Sequence, residues 1–326
     1  MPVIAVSGDA IEAARERLRG IAMRTPLVPL VASIGARRIS LKLETLQPVG
    51  SFKIRGAGSA ISAAPPERLA HGVYTASAGN MAQGVAWCAR ALGVPCTVIV
   101  PEHAPVAKTS AVERMGGTII RVPFERWWQV LVDRSYPGLD GLFVHPVSDP
   151  DVIAGNATIA AEILEDAPDT DTVLVPFGGG GLSCGIALGL KARGSSARVI
   201  ACEVETAAPL TPSLLAGKPC TVARTATFVD GIGAAGLMVE MWPLIQGTLN
   251  GSIVSSLANI ADAVRYLAER AHVVAEGAGA AAVAAAMSDP VATSGSGLGE
   301  RVVCIVSGGN IDMAPLTAIL QGRLPA

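Results

Sequence analysis

The chain has 326 residues, half of them apolar and only 16 % charged, with a formal net charge of −2. That balance supports a large buried core and excludes a disordered chain. With no basic excess and 4 % aromatic residues, it also excludes a nucleic-acid binder that tracks phosphates or stacks bases. No run of ~18 apolar residues is present, so no membrane span is predicted. No apolar leader opens the chain, and the expected location is the cytoplasm. At ~100–200 residues per domain, the length predicts two domains or one large α/β unit. The six cysteines form no C-x-x-C pair and are expected to be buried free thiols. The four histidines are scattered, with no metal-ligand spacing.

Residues 9–22 are predicted helical, capped by Asp9 with Glu12 three positions on. Residues 39–43 alternate like a strand, and a polar loop over 44–50 leads to a helix opening at Ser51. Strand patterns at 73–76, 96–100, 118–122 and 142–145 alternate with helical patterns at 81–92, 107–115 and 125–134. This alternation predicts parallel β-α-β units in a small open sheet. A second series follows: helix 151–164, strand 172–176, four glycines at 178–181, a helix through 191 and strand 198–203. Loops and short helices are expected over 206–236, helices at 261–272 and 279–287, and a last strand at 301–306. The predicted fold class is α/β, as two open parallel-sheet domains with a cleft between them.

Four segments carry possible chemistry. Gly178-Gly179-Gly180-Gly181 lies between a strand and a helix, where backbone N–H groups and a helix N-terminus favour an anion such as phosphate. Four successive glycines cost too much chain entropy for an ordinary turn. In Gly50-Ser51-Phe52-Lys53-Ile54-Arg55-Gly56 a lysine sits among apolar neighbours, which lowers its pKa and makes it a nucleophile and base. The turn Ser77-Ala78-Gly79-Asn80 offers hydroxyl, amide and helix N–H donors to a carboxylate, or simply starts a helix. Ser307-Gly308-Gly309-Asn310 presents a hydroxyl after the last strand, or is a plain turn. A competing motif overlaps the glycines: Gly181-Leu182-Ser183-Cys184-Gly185 fits the G-x-S-x-G elbow of serine hydrolases, with Asp230 or Asp262 and then His272 in the required order. Trp127 and Trp128 read as helix-face packing rather than pocket residues.

Taken together, these segments resemble the fold-type II pyridoxal-phosphate enzymes, in the branch of serine/threonine dehydratases (threonine ammonia-lyases) and serine racemases. Leu41-Lys42-Leu43-Glu44 and Asp149-Pro150-Asp151-Val152-Ile153-Ala154-Gly155 add to the match, which spans residues 41–310 in the family's order. The resemblance implies the tryptophan synthase β-like architecture, with pyridoxal 5'-phosphate in the cleft. It implies a large domain from residues 1–70 and 149–326 and a small one from 71–148. Lys53 would carry the cofactor as a Schiff base, with Phe52 against its ring. Gly178, Gly179, Gly180, Gly181 and the N–H of Leu182 would hold its phosphate, Asn80 its ring oxygen and Ser307 its pyridine nitrogen. Ser77, Ala78, Gly79, Asn80 and Met81 would face the substrate. The implied partner is a small amino acid, with neither nucleic acid nor membrane, and the implied assembly is a homodimer or homotetramer.

The implied reaction is β-elimination from a β-hydroxy amino acid such as threonine, serine or a 3-substituted serine, giving a 2-oxo acid and ammonia. Lys53 would take the Cα proton, and the bound phosphate is the family's candidate donor to the departing hydroxyl. The racemase of the same fold and the Ser183 hydrolase are the alternatives. Three departures bear on this. Met81 stands where the branch often has His, and Ala78 stands where the racemases have Ser. The strand ending at Glu203 is followed by Ala207-Ala208-Pro209, with no second carboxylate for a divalent ion, so no metal is expected. No segment beyond residue 326 supplies the regulatory domain of biosynthetic threonine dehydratases, so control by isoleucine is not expected.

Overall fold

The computed structural model describes residues 2–30, 37–104, 106–288 and 297–325. The strands in chain order are β1 (Leu27–Pro29), β2 (Arg38–Leu43), β3 (Val73–Ala76), β4 (Cys96–Pro101), β5 (Thr118–Val122), β6 (Leu142–Phe143), β7 (Thr172–Pro176), β8 (Arg198–Val204), β9 (Ser252–Ser255) and β10 (Arg301–Val306). The α-helices are α1 (Gly8–Arg17), α2 (Lys53–Ala63), α3 (Pro66–Leu69), α4 (Asn80–Ala91), α5 (Val106–Arg114), α6 (Phe124–Asp133), α7 (Pro150–Asp166), α8 (Gly181–Ala192), α9 (Leu210–Ala216), α10 (Trp242–Thr248), α11 (Leu257–Tyr266), α12 (Gly277–Met287) and α13 (Met313–Leu320).

A six-stranded sheet has the order β1-β2-β10-β7-β8-β9, parallel except for the β1–β2 pair. A four-stranded parallel sheet has the order β5-β4-β3-β6. The period-two alternation of side chains explains why the central strands read as unbroken apolar runs. Val173, Val175, Val199, Ala201, Val303 and Ile305 pack on one face with α7, α8 and α10. Leu174, Ile200, Cys202, Val302, Cys304 and Val306 pack on the other with α11 and α12. Helix α12 is buried along nearly its whole length, and its small residues let it lie close to the chain leaving β10. A Cβ on Gly279 would come within 2.1 Å of the Gly308 carbonyl oxygen.

The first helix is shorter than its periodicity suggests. It ends at Arg17, and Gly20 turns the chain at φ 78°, a left-handed conformation that a helix does not continue through. Its cap is Ser7, whose Oγ accepts the Ala10 N–H at 3.2 Å, and not Asp9. Strand β6 stops at Phe143 because the His145 ring accepts the N–H groups of Val147 and Ser148 and turns the chain. The helix expected from 261 begins at Leu257, and Leu267–Ala271 continues it as a π-turn. Cysteines 88, 96, 184, 202 and 304 are buried and free, whereas Cys220 is half-buried. Among the described residues no helix is long and apolar enough to cross a membrane.

Strands β3, β7 and β10 lead at their carboxyl ends into Ser77, Gly178 and Ser307, and the chain after β2 leads to Lys53. Crevices beyond the carboxyl ends of parallel strands are where ligands of α/β proteins bind. All of these segments open onto one cleft of about 510 Å³.

Candidate active site

Lys53 is the first residue of α2. Two ties bring it beside Ser307: the Phe52 N–H donates to the Ser307 carbonyl at 3.0 Å, and the Gly309 N–H donates to the Gly50 carbonyl at 2.9 Å. Behind it, Arg55 anchors the helix through buried ion pairs with Glu44 at 2.8 Å and Glu162 at 2.7 Å. Lys53 Nζ donates to the Pro146 carbonyl at 2.9 Å and lies 5.1 Å from the centre of the Phe52 ring. Burial lowers the Lys53 amine to about 8, against the opposing pull of the Glu276 carboxylate. A lysine so placed is available as a base near neutral pH.

The four glycines form the opposite wall. Gly180 has φ 95°, and α8 begins at the next residue. The N–H groups of the first turn of a helix have no acceptor within it, and the Cys184 N–H to Gly180 carbonyl bond, at 2.9 Å, closes the first turn here. A Cβ on Gly179 would meet the Val147 side chain at 2.7 Å, and one on Gly181 the Val147 carbonyl at 2.8 Å. The bare backbone is therefore required by close approach as well as by φ. A cradle of free N–H groups at a helix N-terminus suits a phosphate.

The third wall comes from the four-stranded sheet. Ser77 Oγ accepts the Gly79 N–H at 3.2 Å, Asn80 opens α4, and Met81 is buried in the core while lining the cleft. Trp127 packs against the sheet and also faces the cleft, whereas Trp128 is 44 % exposed and does not pack as expected.

Two residues that no sequence motif singles out complete the site. Glu276 precedes α12, is buried, and accepts the Asn80 Nδ2–H at 2.7 Å. Burial and the Asp230 carboxylate push it up to about 7, against the Asn80 bond, Lys108 and Lys53. A lone acid inside the apolar run 273–287 was the signal available, since buried acids without partners are rare. His145 is fully buried, and its Nδ1 accepts the N–H groups of Val147 and Ser148 at 3.1 and 2.9 Å, so that nitrogen is unprotonated. Burial, Arg134 and Lys53 hold the ring neutral, at about 3. Its turn supplies both the Lys53 acceptor and the Val147 wall of the glycine cradle.

The raised Glu276 carboxyl gives an expected pH effect. The folded apoprotein retains a proton there that the unfolded chain releases near its ordinary value of 4.5, so stability falls as pH rises from there through about 7. Glu276→Gln is expected to remove that slope in urea denaturation curves recorded at several pH values; an unchanged slope contradicts the assignment.

The hydrolase alternative fails on geometry. Ser183 lies inside α8, not on a strained elbow, and its Oγ donates to the Gly180 carbonyl of its own helix at 3.2 Å. Asp230 pairs with Lys108 and Asp262 with Arg265, and His272 is a left-handed residue at a helix end. Glu203 accepts the N–H groups of Leu210 and Thr211 and the Thr211 hydroxyl at 2.7–2.9 Å, capping α9. Among the described residues there is no cluster of three His, Cys, Asp or Glu side chains able to hold a metal.

The family model for pyridoxal-phosphate dependent enzymes matches residues 18–308. The chain belongs to this family. Pyridoxal phosphate is its cofactor, and the lysine, the glycine cradle and the aromatic Phe52 fit that group's aldehyde, phosphate and ring. This pyridoxal-phosphate enzyme is 36 % identical over 320 residues to the L-threonine ammonia-lyase of Thermotoga maritima, covering 97 % of this chain and 78 % of that protein. It superposes on maize serine racemase with a TM-score of 0.89 at 33 % identity, covering 98 % of both chains. On the processed form of threonine deaminase isoform 2 from Solanum lycopersicum the TM-score is 0.85 at 28 % identity, covering 98 % of this chain and 90 % of that one. Its fold is therefore fold type II.

Proposed function

We propose that this enzyme eliminates the β-hydroxyl of an amino acid such as L-threonine, L-serine or a 3-substituted serine, releasing a 2-oxo acid and ammonia. The observation that carries the reading is the half-buried Lys53 facing the glycine cradle across one cleft, with Ser307 beside it. When bound, pyridoxal phosphate supplies the sink for the electron pair left at Cα. Lys53 takes the Cα proton, for which its lowered pKa suits it. The glycine backbone and the Leu182 N–H would hold the phosphate, and Phe52 would lie against the ring. Asn80 donates to the ring oxygen. The Ser307 hydroxyl would hold the pyridine nitrogen; carrying no charge, unlike an acid, it would not force that nitrogen to stay protonated, which would favour departure of a β-group. The turn at Ser77, Ala78 and Gly79, with Asn80 and Met81, receives the substrate. The net reaction needs no oxidant or reductant: the β-hydroxyl leaves as water, the released enamine gains a proton at the β-carbon to become an imine, and one water hydrolyses that imine to the 2-oxo acid and ammonia.

The strands of the four-stranded sheet all fall within 73–143, and those of the six-stranded sheet in 27–43 and 172–306. This supports the division into a small unit, 71–148, and a large one, 1–70 with 149–326. Assembly of two or four copies belongs to the same reading and rests on the resemblance.

A panel of serine, threonine, 3-hydroxyaspartate and 3-phenylserine, assayed for 2-oxo acid release, tests the function. Release from at least one is expected; release from none contradicts it.

Racemisation needs a second acid on the face opposite Lys53, and Ala78 supplies none. Little D-isomer is therefore expected beside the 2-oxo acid. Ala78→Ser is expected to raise the racemised fraction, since a well-placed general acid contributes ~10²–10⁴-fold. Chiral chromatography of recovered substrate measures it. A parent that makes D-isomer faster than 2-oxo acid would establish the racemase instead.

A further inference from the structure

A chain of side-chain amides runs along the back of the cleft. Asn310 Nδ2 donates to the Val49 carbonyl at 2.9 Å and to Asn80 Oδ1 at 2.8 Å. Asn80 Nδ2 in turn donates to Glu276 Oε1 at 2.7 Å. An amide can be turned end for end unless its neighbours forbid it. Here the first link is a backbone carbonyl, which only accepts. It fixes Asn310 with its nitrogen toward Val49, and both of that nitrogen's hydrogens are then used. Asn80 must therefore present its oxygen to Asn310, and its nitrogen falls to Glu276. One of the two Asn80 N–H hydrogens is spent on Glu276 and the other is left.

Glu276 is itself held in place. Its backbone N–H donates to the Gly308 carbonyl at 3.0 Å, and a Cβ on Gly308 would come within 2.6 Å of Glu276 Oε1. The carboxylate thus sits against the bare backbone that follows Ser307, in a space that only glycine leaves open.

We propose that Asn310 and Glu276 are positioning residues that keep the Asn80 amide turned with its nitrogen, not its oxygen, available to an anionic ligand oxygen in the cleft. The inference rests on the proposed function, in which that oxygen belongs to the pyridoxal-phosphate ring. With the amide reversed, Asn80 would set a carbonyl oxygen against the anion, turning an attraction into a repulsion. A hydrogen bond to a charged group is worth about 1.5–3 kcal/mol, or roughly tenfold or more in affinity.

The test loads apoprotein variants with pyridoxal phosphate and reads two quantities: the dissociation constant, and the ratio of the visible band to the near-ultraviolet band. Asn310→Leu and Glu276→Leu are expected to weaken binding at least tenfold. They are also expected to move absorbance toward the near-ultraviolet band, because the ring oxygen without its donor holds a proton. Glu276→Gln keeps an accepting oxygen in the same place and is expected to stay within about threefold of the parent, with the parent's band ratio. A defect in Glu276→Gln equal to that of Glu276→Leu overturns the proposal, since charge rather than amide orientation would then be the cause. So does an unshifted band ratio in a folded Asn310→Leu. If the leucine variants do not fold, asparagine-labelled parent apoprotein gives the answer by side-chain amide NMR. The Asn80 nitrogen is expected to shift as Glu276 titrates, and a nitrogen indifferent to that titration overturns the relay. A parent that binds no pyridoxal phosphate refutes the proposed function itself; normal binding by the parent with indifferent variants refutes the relay alone.

Discussion

Lys53→Ala is expected to lower 2-oxo acid formation by more than ~10³-fold while the protein stays folded and still takes up some pyridoxal phosphate. The lysine is proposed both as the covalent anchor and as the base at Cα, so one truncation removes two functions. The glycine cradle is untouched by it: Gly180 and the start of α8 belong to the other wall of the cleft. Nor does the lysine amine hold the fold, since among the described residues it donates to the Pro146 carbonyl alone. Steady-state kinetics with circular dichroism as the folding control measures the effect. Activity within tenfold of the parent would remove Lys53 from the mechanism.

The second large effect is expected two residues further on. The Arg55 side chain is 3 % exposed, and its partners Glu44 and Glu162 are 0 % and 8 % exposed. Five of its hydrogen bonds go to these carboxylates and to the Thr158 hydroxyl, and Lys42 Nζ adds a 2.6 Å bond to Glu162. Arg55→Leu strands two buried carboxylates with one buried ammonium between them. Breaking a buried pair in this way costs about 3–5 kcal/mol, a large part of the ~5–15 kcal/mol that holds a domain folded. Urea denaturation is expected to show that loss, or the variant to be insoluble. Arg55→Lys is expected to fall between, because an ammonium cannot make the forked contacts. Burial alone would raise Glu162, but the charges and bonds of Arg55 and Lys42 outweigh it and hold its carboxyl low. The network therefore contributes stability above the ordinary carboxylate range and loses it as pH falls through the depressed value. A loss below 1 kcal/mol in Arg55→Leu would show that the helix carrying Lys53 is held by packing instead.

Much of the fold was legible because β-α-β periodicity is local. Strands β3, β4, β5, β7, β8 and β10 each carry apolar runs of the right length between glycine or proline punctuation. Strand β1 escaped because three residues ending in Pro29 carry too little pattern, and β9 because its ends are serines. The site was legible where chemistry and backbone coincide in one short segment, as at Lys53 and at residues 178–181. It was not legible where function depends on residues far apart in the chain meeting in space. Asn80 and Glu276 are separated by 196 positions and Asn80 and Asn310 by 230. His145 looked like one of four scattered histidines because its role is to hold a turn, which needs no spacing motif. Arg55 stood inside the lysine segment, yet its carboxylate partners lie 11 and 107 residues away.

Everything proposed for the cleft depends on Lys53 bonding the cofactor across from the glycine cradle. Borohydride reduction of the purified, cofactor-loaded protein, followed by peptide mapping, tests this most directly. The expected result is a yellow protein that bleaches on reduction, with one pyridoxyl group per chain on the peptide containing Ser51-Phe52-Lys53. A label on another lysine, or a colourless protein whose Ser183 reacts stoichiometrically with an organophosphate probe, would contradict it.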